Sequence, residues 1–249
     1  MLEEYDHLKK FSFREMFQII SLLNFKPLII GGWAVHFHVN KEYMSIKGRE
    51  YIGSKDIDIG IHEVKHYLNL KKVLKKLGFK PISFRYYKVL DYDTGLPTSE
   101  DRPLYDLFYL YVDIIFSSKN RFKNIREEHF IIEEPLIREI YAEKKYVSMN
   151  KYCIPYPEYL FIMKLKAVKY RSGERYIKDL LDMIMLYTFT SINFDIIQEF
   201  VLRERLEENV RFTMSRIKDI LNELVYLRFD RREAKSIILS LRIVLKKLL

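Results

Sequence analysis

Two aspartates, Asp56 and Asp58, stand two residues apart in the apolar run Ser54-Lys-Asp-Ile-Asp-Ile-Gly-Ile61. Side chains at i and i+2 of a β-strand project from one face. This spacing therefore points both carboxylates one way and Ile57, Ile59 and Ile61 the other. Like charges held side by side repel, and a divalent cation between them turns the repulsion into attraction. A third acid, Asp113, lies in Leu110-Tyr-Val-Asp-Ile-Ile-Phe116, inside the most strand-like run of the chain, Leu107 to Phe116. A carboxylate in such a run is costly unless it is paired or coordinated. Asp113 is therefore expected to face the same site as Asp56 and Asp58; the competing expectation is an edge position facing water.

The elements that must position these acids begin upstream. Pro27-Leu-Ile-Ile-Gly-Gly-Trp-Ala-Val35 reads as a short buried strand, Leu28–Ile30, that ends in two glycines and opens a helix from Trp33 to about Val39. Glycine adopts positive φ, and its bare backbone lets N–H groups approach phosphate oxygens closely. The N-terminus of the helix after the turn adds its dipole to the same anion site. Alone, Gly-Gly marks a turn; coupled to Asp-x-Asp it becomes a candidate phosphate cradle.

A Gly-Gly turn after a strand, Asp-x-Asp on the next strand and one more Asp on a later strand resemble the DNA polymerase β-like nucleotidyltransferase superfamily. Gly31-Gly-Trp-Ala-Val35 is close to the opening of the small antibiotic nucleotidyltransferases. Lys164-Leu-Lys-Ala, then Arg171, then Arg175-Tyr-Ile-Lys-Asp-Leu-Leu-Asp182 is similar to a signature of the nucleotidyltransferase toxins of abortive-infection systems. The resemblance covers roughly residues 12 to 190. It implies transfer of a nucleoside monophosphate from an NTP to an acceptor hydroxyl, with release of pyrophosphate and two Mg²⁺ ions as cofactors. By that resemblance Asp56 and Asp58 hold both ions, and Asp113 completes the one that activates the acceptor and serves as candidate base. Gly31, Gly32 and Ser54 become candidate nucleotide-binding residues, Lys164 contacts the phosphates and Asp179 orients that lysine or supports the site. Lys164 and Arg171, two helical turns apart, fall on one helical face; the alternative is a solvated lysine-rich face shared with Lys166 and Lys169.

The chain also departs from its relatives. Gly32 and Asp56 are further apart than in compact members, and residues 40–53 form either a loop over the nucleotide or a strand extension without a role. Many relatives carry serine or a different small residue where Gly32 stands, so a hydroxyl contact is missing here and backbone amides are left to bind the triphosphate. These departures keep open a catalytically silent nucleotide- or RNA-binding protein of the same fold, and a member of a toxin–antitoxin or defence pair. The acceptor stays open between tRNA or other RNA, a protein hydroxyl and a small aminoglycoside-like molecule. The nucleotide is equally open, ATP among the candidates.

Composition narrows the classes. With 249 residues, 49% hydrophobic and 31% charged, the chain reads as a globular protein with ample core. No apolar run reaches the roughly 18 to 20 residues of a membrane span, and the acidic start lacks a signal-peptide core, so a cytoplasmic location is expected. One cysteine, Cys153, excludes an internal disulfide and a multi-cysteine zinc site. A net charge of +9 favours a polyanionic partner such as RNA, although the basic residues are interleaved with acids along the whole chain.

The fold expected is α/β (α+β): a small mixed sheet backed by helices over residues 1–155, then a helical domain over 156–249. Ser12-Phe-Arg-Glu15 reads as a capping box opening a helix that runs to about Asn24. His62-Glu-Val-Lys-His66 matches the zinc-protease pattern, but it sits at a helix start directly after the acidic strand and lacks the extended motif, so it is read as two packed or surface histidines. Val64 to Leu77 is a helix ended by Gly78, and Phe79 to Leu90 holds one or two strands. Asp91 to Pro103 is a loop in which Asp91, Asp93 and Asp101 are turn residues. The charged stretch 121–138 carries no assignment, and Tyr146 to Ile154 makes a last strand pair. The C-terminal helices, with an Asp230-Arg-Arg-Glu233 cap on the last, show no chemistry and offer a surface for a protein partner or a homodimer.

Overall fold

The computed structural model describes residues 2–83, 85–123 and 131–249. Phe84, within the expected strand pair, and residues 124–130, within the unassigned charged stretch, lie outside the described residues. The chain has a mixed α/β fold and divides into two compact units, one built mainly from Glu3–Trp33 and Gly53–Pro155, the other mainly from Ala34–Ile52 and Tyr156–Leu249. No described helix is long and apolar enough to cross a membrane.

The first unit carries the sheet. Its strands are β1 (Leu28–Ile30), β2 (Ile57–Ile61), β3 (Lys80–Ile82), β4 (Arg85–Asp91), β5 (Leu107–Phe116), β6 (Ile132–Glu133), β7 (Tyr146–Ser148) and β8 (Cys153–Pro155). They lie in the order β3-β4-β5-β2-β1-β8-β7, with β6 paired to the end of β5. The central β2–β5 pair is parallel, while β1–β2 and β4–β5 are antiparallel. Period-two patterning explains why β5 sits where it does. Leu110, Val112, Ile114 and Phe116 are fully buried on one face, and Tyr109, Tyr111 and Asp113 line the other, half-exposed face.

Helix α1 (Leu2–Leu22) runs without a break through position 12, so Ser12 is not an N-cap. Tyr5, Leu8, Phe11, Met16, Ile19 and Ile20 form one buried stripe across the expected boundary, and that burial outweighs a local capping signal. The two polar residues of the presumed box have tertiary partners instead. The Ser12 hydroxyl accepts the Trp33 indole N–H at 2.9 Å, and buried Glu15 meets the Lys88 ammonium at 2.8 Å. Helix α3 (Val64–Lys76) ends before Gly78 at φ +83°, as its C′ glycine requires. The 91–103 loop is tied down by Asp91, which accepts from the Thr94 backbone N–H and hydroxyl and pairs with Arg102. A short helix, α4 (Leu136–Ala142), precedes β7.

Helix α2 spans Gly31–Lys47, a full two turns beyond the expected end near Val39. Residues 40–47 therefore extend a helix rather than a strand. This part of the chain belongs to the second unit: the Tyr51 backbone N–H donates to Asn40 at 2.7 Å, and the Tyr43 hydroxyl donates to the Leu227 carbonyl at 2.8 Å. The remaining elements of that unit are α5 (Pro157–Val168), α6 (Gly173–Phe189), α7 (Phe194–Glu204), α8 (Glu207–Arg216), a 3₁₀ turn at Ile217–Ile220, α9 (Leu221–Tyr226) and α10 (Arg231–Lys246). The Asp230 side chain caps α10 in a full capping box with Glu233, and Ala234, Ile238, Leu241 and Leu245 are its buried stripe.

Candidate functional site

Strand register places the acids. Asp58 on β2 is the direct partner of Asp113 on β5, Asp113 is the direct partner of Arg85 on β4, and Ile30 on β1 faces Asp58 from the other side. Directly paired residues share a sheet face and stand about 5 Å apart, so Asp58, Asp113 and Arg85 form one rung of two carboxylates and a guanidinium. Asp58 is flanked along its strand by the fully buried Ile57 and Ile59 on the opposite face. Asp56 directly precedes β2, half-buried, with its backbone N–H 3.3 Å from the Ser54 hydroxyl.

The glycine turn abuts this rung. Gly31 has φ +64°, a conformation that strains any side chain, and a Cβ added there would stand 2.0 Å from Asp58 Oδ2. The Asp58 carboxylate therefore occupies the space a side chain at position 31 would need, at the positive end of α2. A Cβ on Gly32 would meet Ser54 Cβ at 3.0 Å and its hydroxyl oxygen at 3.2 Å. The Ser54 hydroxyl thus stands beside Gly32. Gly31→Ala should cost about 2 kcal/mol or more, since left-handed backbone alone costs roughly 1–2 kcal/mol for a residue with a Cβ. It should also push Asp58 out of the rung. Urea denaturation reads the first effect; a variant as stable as its parent would show that the collision is relieved cheaply.

Arg85 is the residue that the sequence does not announce. Its Nη2 donates to Asp113 Oδ2 at 2.9 Å, with both side chains largely buried, and its guanidinium lies 4.6 Å from the Tyr111 ring centroid. Asp113 thus has an ionic partner on the half-exposed face and is not an edge residue facing water.

The second unit gathers the other candidates. Lys164 on α5 lies 2.7 Å from Asp179 Oδ1 and 2.7 Å from Asp182 Oδ2, both on α6. Arg171 reaches Asp179 at 2.9 Å, Lys178 pairs with Asp182, and the Tyr51 hydroxyl donates to Asp182 at 2.7 Å. Arg171 lies beyond the end of α5 at Val168, so it shares no helical face with Lys164; the two cations converge through Asp179. Lys164 is buried and belongs to no solvated face, whereas Lys166 and Lys169 pair with Glu204 and Glu208 nearer the surface. Burial disfavours the Lys164 charge, but the Asp179 and Asp182 carboxylates outweigh it and hold the ammonium above the usual lysine range. Burial likewise works against the Asp182 carboxylate, and the Lys164 and Lys178 charges overcome it, so Asp182 titrates below the usual range. Sequence reasoning does not place Lys178, Asp182 and Tyr51 in one network. The i, i+4 spacing of Lys178 and Asp182 is the one local signal for it.

Two solved structures resemble this architecture over nearly its whole length. A candidate nucleotidyltransferase from H. pylori matches with a TM-score of 0.53 at 15% identity, covering 97% of this chain and 96% of that one. JHP933 from Helicobacter pylori matches with a TM-score of 0.51 at 14% identity, covering 95% of this chain and 91% of that one. The chain has a nucleotidyltransferase-like fold. At such identity the likeness is one of fold alone. No protein-family model matches the chain, and no curated protein matches it by sequence.

The cofactor that the sequence resemblance implies is Mg²⁺. Among the described residues no three His, Cys, Asp or Glu side chains are grouped as a metal cage. Mg²⁺ does not require one, because it is commonly held by one or two carboxylates together with substrate phosphates and water. The rung supplies two hard-oxygen donors side by side, Asp58 and Asp113, with Asp56 just ahead of them. These residues fit a divalent cation whose remaining ligands come from elsewhere.

The two histidines of the zinc-protease-like pattern sit in separate surroundings. His62 precedes α3 with one ring nitrogen, Nδ1, 3.0 Å from the Ser117 hydroxyl and the other, Nε2, 2.8 Å from Arg121 Nη1; His66 stacks on Phe25 at 4.1 Å. A guanidinium only donates, so Nε2 is assigned as acceptor and Nδ1–H as donor to Ser117. That tautomer cannot serve as a base for Ser117. Burial first, then the Arg121 charge, lowers the His62 pKa, and burial lowers that of His66. A depressed histidine pKa means that the unfolded chain takes up the proton first. The stability held above about pH 6.5 should therefore be lost as pH falls through the folded-state values. Urea melts between about pH 7 and about pH 5 should show this slope, flattened in His62→Gln; an unchanged slope would place its source elsewhere.

Proposed function

We propose that this chain is a nucleotidyltransferase that moves a nucleoside monophosphate from an NTP to an acceptor hydroxyl and releases pyrophosphate. The observation that carries this reading is the Asp58–Asp113 rung set against the Gly31 turn and the start of α2, in a nucleotidyltransferase-like fold. Backbone N–H groups at Gly31 and Gly32, with the Ser54 hydroxyl beside them, are suited to the triphosphate oxygens. Asp58 and Asp113, with Asp56 just ahead of them, would supply carboxylate oxygens to Mg²⁺, and the triphosphate and water would supply the rest. When bound there, Mg²⁺ offsets the triphosphate charge and polarises the α-phosphorus. The acceptor oxygen attacks that phosphorus in line, the bond to the pyrophosphate oxygen breaks, and the acceptor proton passes to the Asp113 carboxylate. The net charge of +9 favours RNA, such as tRNA, as acceptor.

A second reading, nucleotide binding without turnover, is favoured by one observation: Arg85 already neutralises Asp113. Label transfer from α-phosphate-labelled nucleotides separates the two. Each NTP would be offered with Mg²⁺ to total tRNA and to a protein extract, beside an Asp56→Ala/Asp58→Ala control. Label in RNA or protein with the native chain alone establishes the enzyme and names its acceptor class and base. Magnesium-dependent nucleotide binding with no transfer to any acceptor selects the second reading.

A further inference from the structure

The guanidinium on the acid rung has no part in the transfer chemistry proposed for the carboxylates. Arg85 starts β4, where strand pairing sets it directly across from Asp113, and Asp113 in turn sits directly across from Asp58. Its side chain is 12% exposed and that of Asp113 16%, so the pair is shielded yet still touches solvent on the face that the acids occupy. The guanidinium lies over the Tyr111 ring, 4.6 Å from its centroid. The Lys88–Glu15 pair on the same strand is nearly sealed, with side-chain exposures of 10% and 2%. The sealed pair is a structural tie, whereas the Arg85 pair is within reach of a ligand.

We infer that Arg85 is a positioning residue that acts as an internal counter-cation. It occupies Asp113 while nucleotide is absent and moves to a phosphate oxygen when a nucleoside triphosphate brings its divalent ion to the rung. This role rests on the nucleotidyltransferase reading of the acids. The physics is a competition of charges. A dication placed between Asp58 and Asp113 meets a fixed positive charge one strand away, and the two repel at the effective dielectric of a protein surface. A free ion therefore binds weakly. A triphosphate changes the balance, because it supplies oxygens to the ion and also offers the guanidinium an anion at least as good as a carboxylate. Binding of cation and of nucleotide becomes coupled, and Asp113 is released toward the acceptor only when both are present.

The test is Mn²⁺ binding to the full chain, followed by electron paramagnetic resonance, with folding checked by circular dichroism. Without nucleotide, Arg85→Gln should bind Mn²⁺ about tenfold more tightly than the native chain, and the gain should vanish when Asp113→Asn is added. With a non-hydrolysable triphosphate present the advantage should disappear, because the variant has lost a phosphate ligand. Arg85→Lys, which keeps the charge, should retain the weak nucleotide-free affinity and covers the case in which Arg85→Gln fails to fold. Equal nucleotide-free affinity of native chain and Arg85→Gln, or a tenfold gain in Arg85→Lys, overturns the role given to Arg85 and leaves the acids' assignment standing. Absence of Mn²⁺ binding in every form, with nucleotide present, overturns the cation reading of Asp58 and Asp113 and this inference with it.

Discussion

Asp58→Asn should leave a folded chain whose nucleotidyl transfer is down by at least about a thousandfold, or roughly 4 kcal/mol in the barrier. The substitution is nearly isosteric, so the Ile57 and Ile59 contacts and the pairing with Ile30 and Asp113 survive. What changes is the charge. A carboxamide presents one neutral oxygen where a hard dication needs an anionic one, and its amino group would face Asp113 or the Gly31 backbone as a donor. The stability cost should stay near 1 kcal/mol, roughly the usual worth of an anion at a helix N-terminus. The two roles therefore separate: a residue that merely caps α2 would lose stability and keep its turnover. Label transfer beside a urea melt makes the distinction, and normal turnover in Asp58→Asn would end the assignment of the rung as a catalytic centre. Asp56→Asn, ahead of β2 rather than within it, should lose transfer with even less effect on folding.

What is legible in the sequence and what it hides divide along one physical line. Local periodicity is readable. The alternation in Leu107–Phe116 puts Asp113 on the face opposite Val112 and Ile114, the apolar run at 57–61 does the same for Asp58, and positive-φ glycines mark Gly31 and Gly78. The mixed α/β fold comes from these. Pairing between distant segments is not readable. Nothing local says that residue 85 will stand across from residue 113, so Arg85 is invisible in the sequence although it touches a proposed catalytic acid. Ser12 misleads for the same reason: its capping pattern is good, but the helix is decided by apolar residues before and after it. Tyr51 reaches Asp182 from far away in sequence, and residues 40–53, expected as a loop or a strand extension, contain Tyr43 and Tyr51, whose side chains are fully buried. Ser54 illustrates the middle case. Its place in the motif is visible, but its position over Gly32 needs the turn geometry.

Lys164→Met should destabilise the chain by about 3–5 kcal/mol, the range for removing one partner from a buried ion pair. The Lys164 side chain is 10% exposed and its ammonium lies against two fully buried carboxylates, Asp179 and Asp182. Without it Arg171 and Lys178 remain, one for each acid, but Arg171 is 43% exposed and the space between α5 and α6 loses its central cation. Because the Lys164 pKa lies above its usual range, its contribution is fully present through neutral pH and is lost only as pH rises through that elevated value. Asp182, lowered, keeps its part until strongly acidic pH. The destabilisation should therefore be nearly constant across the neutral range. Lys164→Met/Asp179→Asn should be closer to native than Lys164→Met alone, because without Lys164 the buried Asp179 carboxylate keeps only the half-exposed Arg171, whereas Asp182 keeps Lys178 and the Tyr51 hydroxyl. Urea denaturation of the two variants decides the matter. A loss below about 1 kcal/mol in Lys164→Met, the range of exposed ion pairs, would show that the ammonium is no structural tie.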